Sequence, residues 1–204
     1  MTYQEKYQTW LDYAQLPDYL RQDLVSMDEK TKEDAFYTNL EFGTAGMRGY
    51  IGAGTNRINV YVVRQATEGL AKLVASKGDE AKKRGVAIAY DSRHFSPEFA
   101  FESAQVLAAH GIQSYVFESL RPTPELSFAV RHYNAIAGIM VTASHNPKEF
   151  NGYKVYGEDG GQMPPTDASA LTDYIRAIDN PFTIELADLE ESKASGIIKV
   201  LGEE

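Results

Sequence analysis

The sequence predicts an α/β fold in which helices flank a mixed, largely parallel sheet, preceded by a helical N-terminal extension. From residue 60 onward, short apolar runs of strand length alternate with helical patterns, as in consecutive βα units. Hydrophobic residues form 43% of the 204-residue chain, which is enough for a sizeable core. Residues 3–38 are instead rich in Tyr, Gln, Glu, Lys and Leu with one break at Pro17, and they predict two or three short helices.

The glycine-rich segment 39–58 opens the α/β part and is predicted to be a loop. Its five glycines suit special backbone angles better than a strand interior. A helix follows, because apolar residues between Val60 and Val74 recur at helical spacing and Gly78 suits its end. Val86–Tyr90 is short and almost wholly apolar, which predicts a buried strand.

The second half of the chain continues the alternation. Ser96 is predicted to cap a helix that has Pro97 at its first position and runs to His110–Gly111. An apolar patch at Ile197–Leu201 resembles the start of a further strand. We therefore predict an extension over 1–38, an α/β domain over 39–180 and a C-terminal segment over 181–204. Within the α/β domain, the remaining elements are predicted to be strands at 114–117, 135–141 and 152–156 and helices at 124–132 and 165–178.

Composition restricts the classes of partner. The net charge of −9 argues against nucleic acid or an anionic membrane as the main partner, since both attract clustered Lys and Arg. The chain has no cysteine, which excludes disulfides and thiolate metal sites. Its first residues lack the regions of a signal peptide, and no apolar run approaches a membrane span. A cytoplasmic protein is the expectation.

The run at residues 141–154, Val-Thr-Ala-Ser-His-Asn-Pro-Lys-Glu-Phe-Asn-Gly-Tyr-Lys, is the most informative about function. Asn146-Pro147 is a turn signal, because proline disfavours helical backbone in the residue before it. Ser144 is therefore expected where a buried strand ends, at the edge where open α/β sheets bind ligands. It could act as a nucleophile, although capping the turn is the commoner role for a serine in so short a motif.

Two cations and a histidine are candidates for the same site. Arg48 lies among glycines whose N–H groups can approach an anion, and its guanidinium is a planar fork for phosphate; an ordinary loop arginine is the alternative. Lys154 follows Ser144 by ten residues, so a returning strand could bring its amine back for proton exchange; an exposed strand lysine is the alternative. His145 suits hydrogen bonding to phosphate or substrate hydroxyls better than a role as base, because adjacent side chains diverge.

Asp91 and Arg93 follow the strand Val86–Tyr90 and are expected at the same edge of the sheet. Bracing of neighbouring loops by an ion pair and contact with a substrate suit these residues equally well, and we assign them a structural role.

Four segments together resemble the α-D-phosphohexomutases, the phosphoglucomutase and phosphomannomutase superfamily. The family's Thr-Ala-Ser-His-Asn-Pro stands at residues 142–147 and its Phe-Gly-Thr-(Ser/Ala)-Gly-x-Arg-Gly at 42–49. Its strand-Asp-(Ser/Thr)-Arg stands at 87–93 and its Gly-x-Lys at 152–154. The order is that of the family, and the resemblance covers about residues 36–180. The long segment before Phe42 resembles phosphoglucomutases more than the shorter phosphoglucosamine mutases, and the chain as a whole looks most like the N-terminal domain of a bacterial-type phosphoglucomutase.

The resemblance implies domain I of the phosphohexomutase fold and an enzyme that interconverts glucose 1-phosphate and glucose 6-phosphate. Ser144 is implied to carry the phosphoryl group, with Arg48 facing the phosphoserine and Lys154 as general acid or base. The substrate-binding residues implied are Thr44, Arg48, Ser144 and His145, and His145 is also implied to be catalytic. Mg²⁺ is implied to bind the phosphate on Ser144, and glucose 1,6-bisphosphate is implied to be the activator and intermediate.

Other motifs of the family do not occur in this sequence. They are the Asp-Gly-Asp-x-Asp-Arg loop that supplies the remaining metal ligands, the sugar-recognition loop and the arginine-rich phosphate loop. The chain is therefore expected to be the first domain of a longer enzyme, inactive alone, with 181–204 leading towards a second domain. Its expected partners are the hexose phosphate and domains II–IV.

Several alternatives stay open at this point. A phosphomannomutase or a phosphopentomutase would share the same motifs, because the loop that chooses the sugar lies outside this sequence. A non-catalytic phosphosugar-binding module would need the same loops without transfer. A serine hydrolase built on Ser144 is a further alternative, although the Gly-x-Ser-x-Gly elbow is absent.

Overall fold

A computed structural model describes residues 1–43 and 46–202, and these residues form a six-stranded sheet with helices on both faces. None of the described helices is long and apolar enough to cross a membrane. The strands are β1 (Met47–Tyr50), β2 (Val86–Tyr90), β3 (Ser114–Phe117), β4 (Ala137–Val141), β5 (Phe150–Gly157) and β6 (Ile198–Leu201). The helices are α1 (Tyr3–Asp12), α2 (Asp18–Ser26), α3 (Glu29–Phe36), α4 (Val60–Ser76), α5 (Asp79–Arg84), α6 (Ser96–Ala109), α7 (Thr123–His132), α8 (Pro165–Arg176) and α9 (Leu189–Ser195), with a 3-10 turn at Pro181–Thr183.

The sheet has the order β1-β5-β4-β2-β3-β6. The strands β4, β2, β3 and β6 are parallel to one another, whereas β5 runs antiparallel to both β4 and β1. The prediction of a mixed, largely parallel sheet is thus confirmed.

The ends of β2 and β4 and the start of β5 lie at one edge of this sheet. Tyr90 pairs with Val141, so β2 and β4 end side by side. Val141 also pairs with Tyr153, which means that β5 begins beyond the end of β4 at the same edge. On the far side of β5, Arg48 of β1 lies opposite Gly152.

The two faces of the sheet are covered unequally. The main core lies under α4, α6 and α8, where Ile88 and Ile139 of the sheet pack with residues such as Leu70 and Leu107. On the other face, α7 packs Leu126 and its neighbours over the small residues of β2 and over β4.

The N-terminal helices share the main core rather than forming a separate one. Trp10 of α1 is buried, with edge-to-face contacts to Phe36, Tyr61 and Phe182 at centroid distances of 5.8, 5.6 and 5.3 Å. Phe182 lies beyond residue 180, so the C-terminal segment joins this cluster as well. The divisions at 38 and 180 stay predictions.

The prediction of a loop throughout 39–58 is wrong, because residues 47–50 form β1. Pairing with β5 explains the strand, since hydrogen bonds from a distant segment outweigh the local preference of glycine. Gly46, with φ of 103°, lets the chain approach β5, because a Cβ there would clash with the carbonyl oxygen of Tyr153.

The predicted N-cap at Ser96 is also wrong. Phe95 occupies the cap position with a left-handed φ of 64°, and Ser96 is the first residue of α6. The hydroxyl of Ser96 donates to Asp91 Oδ1 at 3.0 Å and so serves the loop before the helix. The apolar patch near the C-terminus forms β6, which pairs in parallel with β3. The helix α5 was not predicted, because it is short and charged and has no apolar pattern.

Tyr19 of α2 connects the N-terminal helices to the start of α6. Its ring stacks on Phe95 with centroids 4.9 Å apart, while its buried hydroxyl has no hydrogen-bond partner among the described residues. Burial, with a smaller effect from the charge of Glu102, raises the pKa of Tyr19 to about 12. Burial likewise raises the pKa of Tyr61 to about 12, but that hydroxyl donates to the carbonyl of Gln15 at 3.4 Å.

Tyr19→Phe is expected to raise the free energy of unfolding by about 1 kcal/mol at neutral pH, because it removes a buried hydroxyl that has no partner among the described residues. Tyr61→Phe is the matched control and is expected to give no such gain, since it also removes a hydrogen bond. Urea unfolding followed by far-UV circular dichroism measures both.

The same variant tests the alkaline behaviour. A raised pKa means that Tyr19 ionises near 10 in the unfolded chain but only near 12 in the folded one. Unfolding then releases a proton, so stability is intact below the lower value and falls as the pH rises through this window. Tyr19→Phe should lose less stability there than the wild type, and an equal loss would contradict the burial of the hydroxyl.

Candidate active site

Ser144 lies at the carboxyl edge of the sheet, three residues after the end of β4, and its side chain is exposed. Its backbone has φ of 57°, in the left-handed region. For a residue with a side chain this conformation costs roughly 1–2 kcal/mol. Such a conformation persists only where the surrounding contacts enforce it.

The Ser144 loop, residues 144–150, is held from one side by a single guanidinium group. Arg93 donates hydrogen bonds to the carbonyl oxygens of Ser144, Asn146, Pro147 and Phe150, at 2.8, 2.7, 2.9 and 2.9 Å. Ser144, Asn146 and Pro147 lie outside any strand or helix, and Phe150 is the first residue of β5. The planar cation therefore supplies hydrogen bonds where the loop has no regular secondary structure.

Asp91 orients that guanidinium. Its Oδ1 accepts from the backbone N–H of Arg93 and from the hydroxyl of Ser96, both at 3.0 Å. Its Oδ2 lies 3.4 Å from Arg93 Nε and accepts from the Thr142 hydroxyl at 2.6 Å. The ion pair therefore braces the ends of β2 and β4 and the start of α6, as expected from the sequence.

Arg48 and Lys154 lie on one face of the sheet beside this loop. Arg48 is opposite Gly152, and directly opposed residues of antiparallel strands point to the same face. Lys154 follows Gly152 by two residues and so shares that face. Gly152 has no room for a side chain, because a Cβ would lie 2.6 Å from the carbonyl oxygen of Thr142.

Both cations are available for an anion. Arg48 is exposed and Lys154 half-buried, and neither forms a salt bridge with another described residue or donates a hydrogen bond to Ser144. The structure thus brings both to the edge that carries the Ser144 loop, on one face of the sheet. Thr44, the remaining predicted contact, lies outside the described residues.

His145 is exposed, and its Nδ1 lies 3.4 Å from Ser144 Oγ, which is long for a hydrogen bond. No carboxylate of the described residues pairs with His145. A hydrolytic triad needs an acid that orients the histidine, so this arrangement does not favour a serine hydrolase. Hydrogen bonding to a phosphate or a hydroxyl fits the exposed ring better.

Two residues of the site were missed from the sequence. Asn151 is buried and donates to the carbonyl of His94 and to the hydroxyl of Ser96, both at 2.9 Å, which ties the start of β5 to the start of α6. Thr142 is buried between Asp91 and the Ser144 loop. For Thr142 the available signal was a polar residue directly after the apolar strand β4.

The side chains of the described residues do not form a complete Mg²⁺ site. Among the described residues, no group of three His, Asp or Glu side chains is placed to hold a metal ion. Asp91, which lies at this edge, already has both carboxylate oxygens engaged by Thr142, Arg93 and Ser96.

Comparison with known proteins gives one family and several longer relatives. The family model described as "Phosphoglucomutase/phosphomannomutase, alpha/beta/alpha domain I" matches residues 39–182. A phosphoglucomutase of Staphylococcus saprophyticus is 40% identical over 196 residues, which are 96% of this chain and 35% of that protein. A phosphoglucomutase of Staphylococcus epidermidis is 43% identical, over 95% of this chain and 35% of that protein. The chain thus spans about a third of the length of these relatives.

Solved structures show the same fold. A protein of Thermus thermophilus assigned as a phosphomannomutase superimposes with a TM-score of 0.61 at 27% identity, over 81% of this chain and 33% of that one. Parafusin, a Paramecium phosphoglucomutase in its open form, superimposes with a TM-score of 0.58 at 20% identity, over 80% of this chain and 34% of that one.

Arg93→Lys is expected to loosen the Ser144 loop, because one ammonium group cannot reach the carbonyls that the guanidinium fork bonds. We expect faster amide exchange over residues 144–150, unchanged exchange in β2 and β4, and a loss of about 2 kcal/mol in stability. Arg84→Lys is the matched control, since Arg84 bonds the carbonyl of Asn134 away from this loop. Equal exchange of the loop in both variants would contradict the role of Arg93.

Proposed function

Because the chain belongs to the phosphoglucomutase/phosphomannomutase family, we propose that it is the phosphoserine-bearing domain of a phosphoglucomutase. In this proposal Ser144 carries the phosphoryl group that interconverts glucose 1-phosphate and glucose 6-phosphate. The observation that carries it is the exposed Ser144, set in a left-handed conformation on a braced loop beside two cations that have no carboxylate partner among the described residues.

The proposed reaction proceeds in two transfers. A hydroxyl oxygen of a hexose monophosphate attacks the phosphorus on Ser144. The bond to the sugar oxygen forms and the bond to Ser144 Oγ breaks; the hydroxyl proton leaves to a base, and Oγ takes up a proton to become a free hydroxyl. The bisphosphate, for glucose the 1,6-bisphosphate, then turns around. Its other phosphoryl group returns to Ser144, which leaves the isomeric monophosphate and restores the phosphoserine.

The side chains at this edge suit the charges of that reaction. A phosphoryl group in transfer spreads negative charge over its outer oxygens, and preplaced donors stabilise it. Arg48 and His145 are the proposed donors. Lys154 is proposed to exchange the proton of the attacking hydroxyl.

Further parts of the proposal lie beyond this chain. Mg²⁺ on the Ser144 phosphate would neutralise charge, but its other ligands would have to come from the proposed full-length enzyme, here called the parent. The partners proposed are the hexose phosphate and domains II–IV, and the proposed location is the cytoplasm. The names of the relatives, at 40% and 43% identity, favour glucose over mannose or pentose phosphates as substrates.

Intact mass spectrometry tests the carrier directly. Protein purified without phosphatase should contain a fraction heavier by one phosphoryl group, phosphatase should remove that mass, and fragmentation should map it to Ser144. A phosphoryl group on another residue, or none after incubation of the parent enzyme with glucose 1,6-bisphosphate, would contradict the proposal.

In the full-length parent, Ser144→Ala should abolish mutase turnover, because no carrier remains. Arg48→Ala and Lys154→Ala should leave residual activity, reduced by about a hundred- to a thousandfold, as for other single electrostatic partners. A coupled assay that converts glucose 1-phosphate measures all three. Lys199→Ala is the matched control, since this exposed lysine lies on β6, the edge strand farthest from β1. Normal turnover of the Ser144 variant would overturn the assignment.

A further inference from the structure

Thr142 connects the carboxylate of Asp91 to the backbone of Ser144. Its side chain is buried, its Oγ1 donates to Asp91 Oδ2 at 2.6 Å, and the same oxygen accepts from the N–H of Ser144 at 2.9 Å. The directions follow from chemistry, because the hydroxyl has one proton and an ionised carboxylate can only accept. Both hydrogen-bonding functions of the hydroxyl are therefore used inside the protein.

Ser144 is fixed through both of its peptide groups. Thr142 accepts from its N–H, while Arg93 donates to its carbonyl oxygen at 2.8 Å. These two partners meet at one atom, Asp91 Oδ2, which accepts from Thr142 and lies 3.4 Å from Arg93 Nε. The fixed residue is the one with φ of 57°, a backbone conformation that serine does not favour by itself.

We infer that Thr142 is a positioning residue for Ser144. Its hydroxyl, oriented by Asp91, keeps the left-handed backbone that presents Ser144 Oγ at the open edge of the sheet. This rests on the proposed function of Ser144 as phosphoryl carrier. Thr142 is only 6% exposed and both functions of its hydroxyl are used, so it acts through Ser144 and not on the substrate.

Removal of the hydroxyl has two consequences. It leaves the N–H of Ser144 without its acceptor, and it removes the restraint that offsets the left-handed conformation. Ser144 can then relax towards ordinary backbone angles, which displaces Oγ. A displacement near 1 Å at a reacting group can lower a rate by about a hundredfold.

Thr142→Val, which keeps the shape and removes the hydroxyl, is the test in the full-length parent. We expect kcat to fall by about a hundredfold with little change in KM, because the change misplaces the carrier and leaves the substrate contacts intact. Thr142→Ser keeps the hydroxyl and should restore kcat to near the wild-type value. A Val variant with normal kcat, or a Ser variant as slow as Val, would overturn the inference.

Thr67→Val is the matched control for the loss of a buried hydroxyl. Thr67 is fully buried, and its hydroxyl is bonded to the carbonyl of Val63 at 2.8 Å and to the hydroxyl of Tyr153 at 2.9 Å, away from the Ser144 loop. We expect this variant to lose stability and to keep kcat. If it loses kcat as Thr142→Val does, general destabilisation explains both variants and Thr142 has no positioning role.

A second measurement separates this inference from the proposed function. In the 204-residue chain, exchange of the Ser144 amide measured by NMR should accelerate by about fivefold in Thr142→Val and not in Thr142→Ser. If the wild-type full-length enzyme shows no mutase turnover, the proposed function fails. Exchange of the Ser144 amide then still tests whether Thr142 positions Ser144. An unchanged Ser144 amide in Thr142→Val would refute the positioning by Thr142 whatever the activity.

Discussion

The ion pair between Asp91 and Arg93 is the interaction on which the candidate site depends. Arg93 donates to four carbonyl oxygens of the Ser144 loop, three of which belong to residues outside any strand or helix. A cation only 13% exposed needs a counter-charge, and Asp91 supplies it. The same carboxylate accepts from Ser96 and Thr142, so the loop, the start of α6 and the end of β4 share one anchor.

The antiparallel direction of β5 brings the two cations next to the Ser144 loop. In an all-parallel sheet, the residues after Ser144 would lead into a crossover and leave the edge. Here β5 returns antiparallel to β4, so Lys154 lies back beside the loop. The second antiparallel pairing adds β1 on the outside and places Arg48 opposite Gly152. These two antiparallel pairings therefore bring Ser144 and Lys154, ten residues apart, to the same edge as Arg48, which is distant from both in the sequence.

The sequence predicted those elements whose signal is local. Val86–Tyr90 and Ser114–Phe117 are apolar enough to be identified as strands from their own residues. The strand β1 could not be, because its two inward positions are Met47 and a glycine and its stability comes from β5. The left-handed Ser144 was equally out of reach, since serine adopts that conformation only through contacts with residues brought in by the fold. Motifs identified Ser144, Arg48 and Lys154 as candidates. The hydrogen bonds of Thr142 and Asn151 could not be predicted, because their partners lie in segments distant in the sequence.

Arg48 and Lys154 have no carboxylate partner among the described residues, yet the chain has a net charge of −9. Whether an anion is attracted by these two cations or repelled by the acidic surface depends on its distance. At physiological ionic strength the Debye length is about 8 Å. A phosphate bound as proposed would then interact with Arg48 and Lys154, while most of the acidic surface would be screened. In dilute buffer the screening length grows to about 30 Å, and repulsion by the acidic surface extends far beyond the loop. Added salt therefore weakens the attraction at contact but also removes a barrier to approach. If the proposed site binds phosphate, this charge distribution would favour an anion already in contact with the two cations over attraction of an anion from a distance.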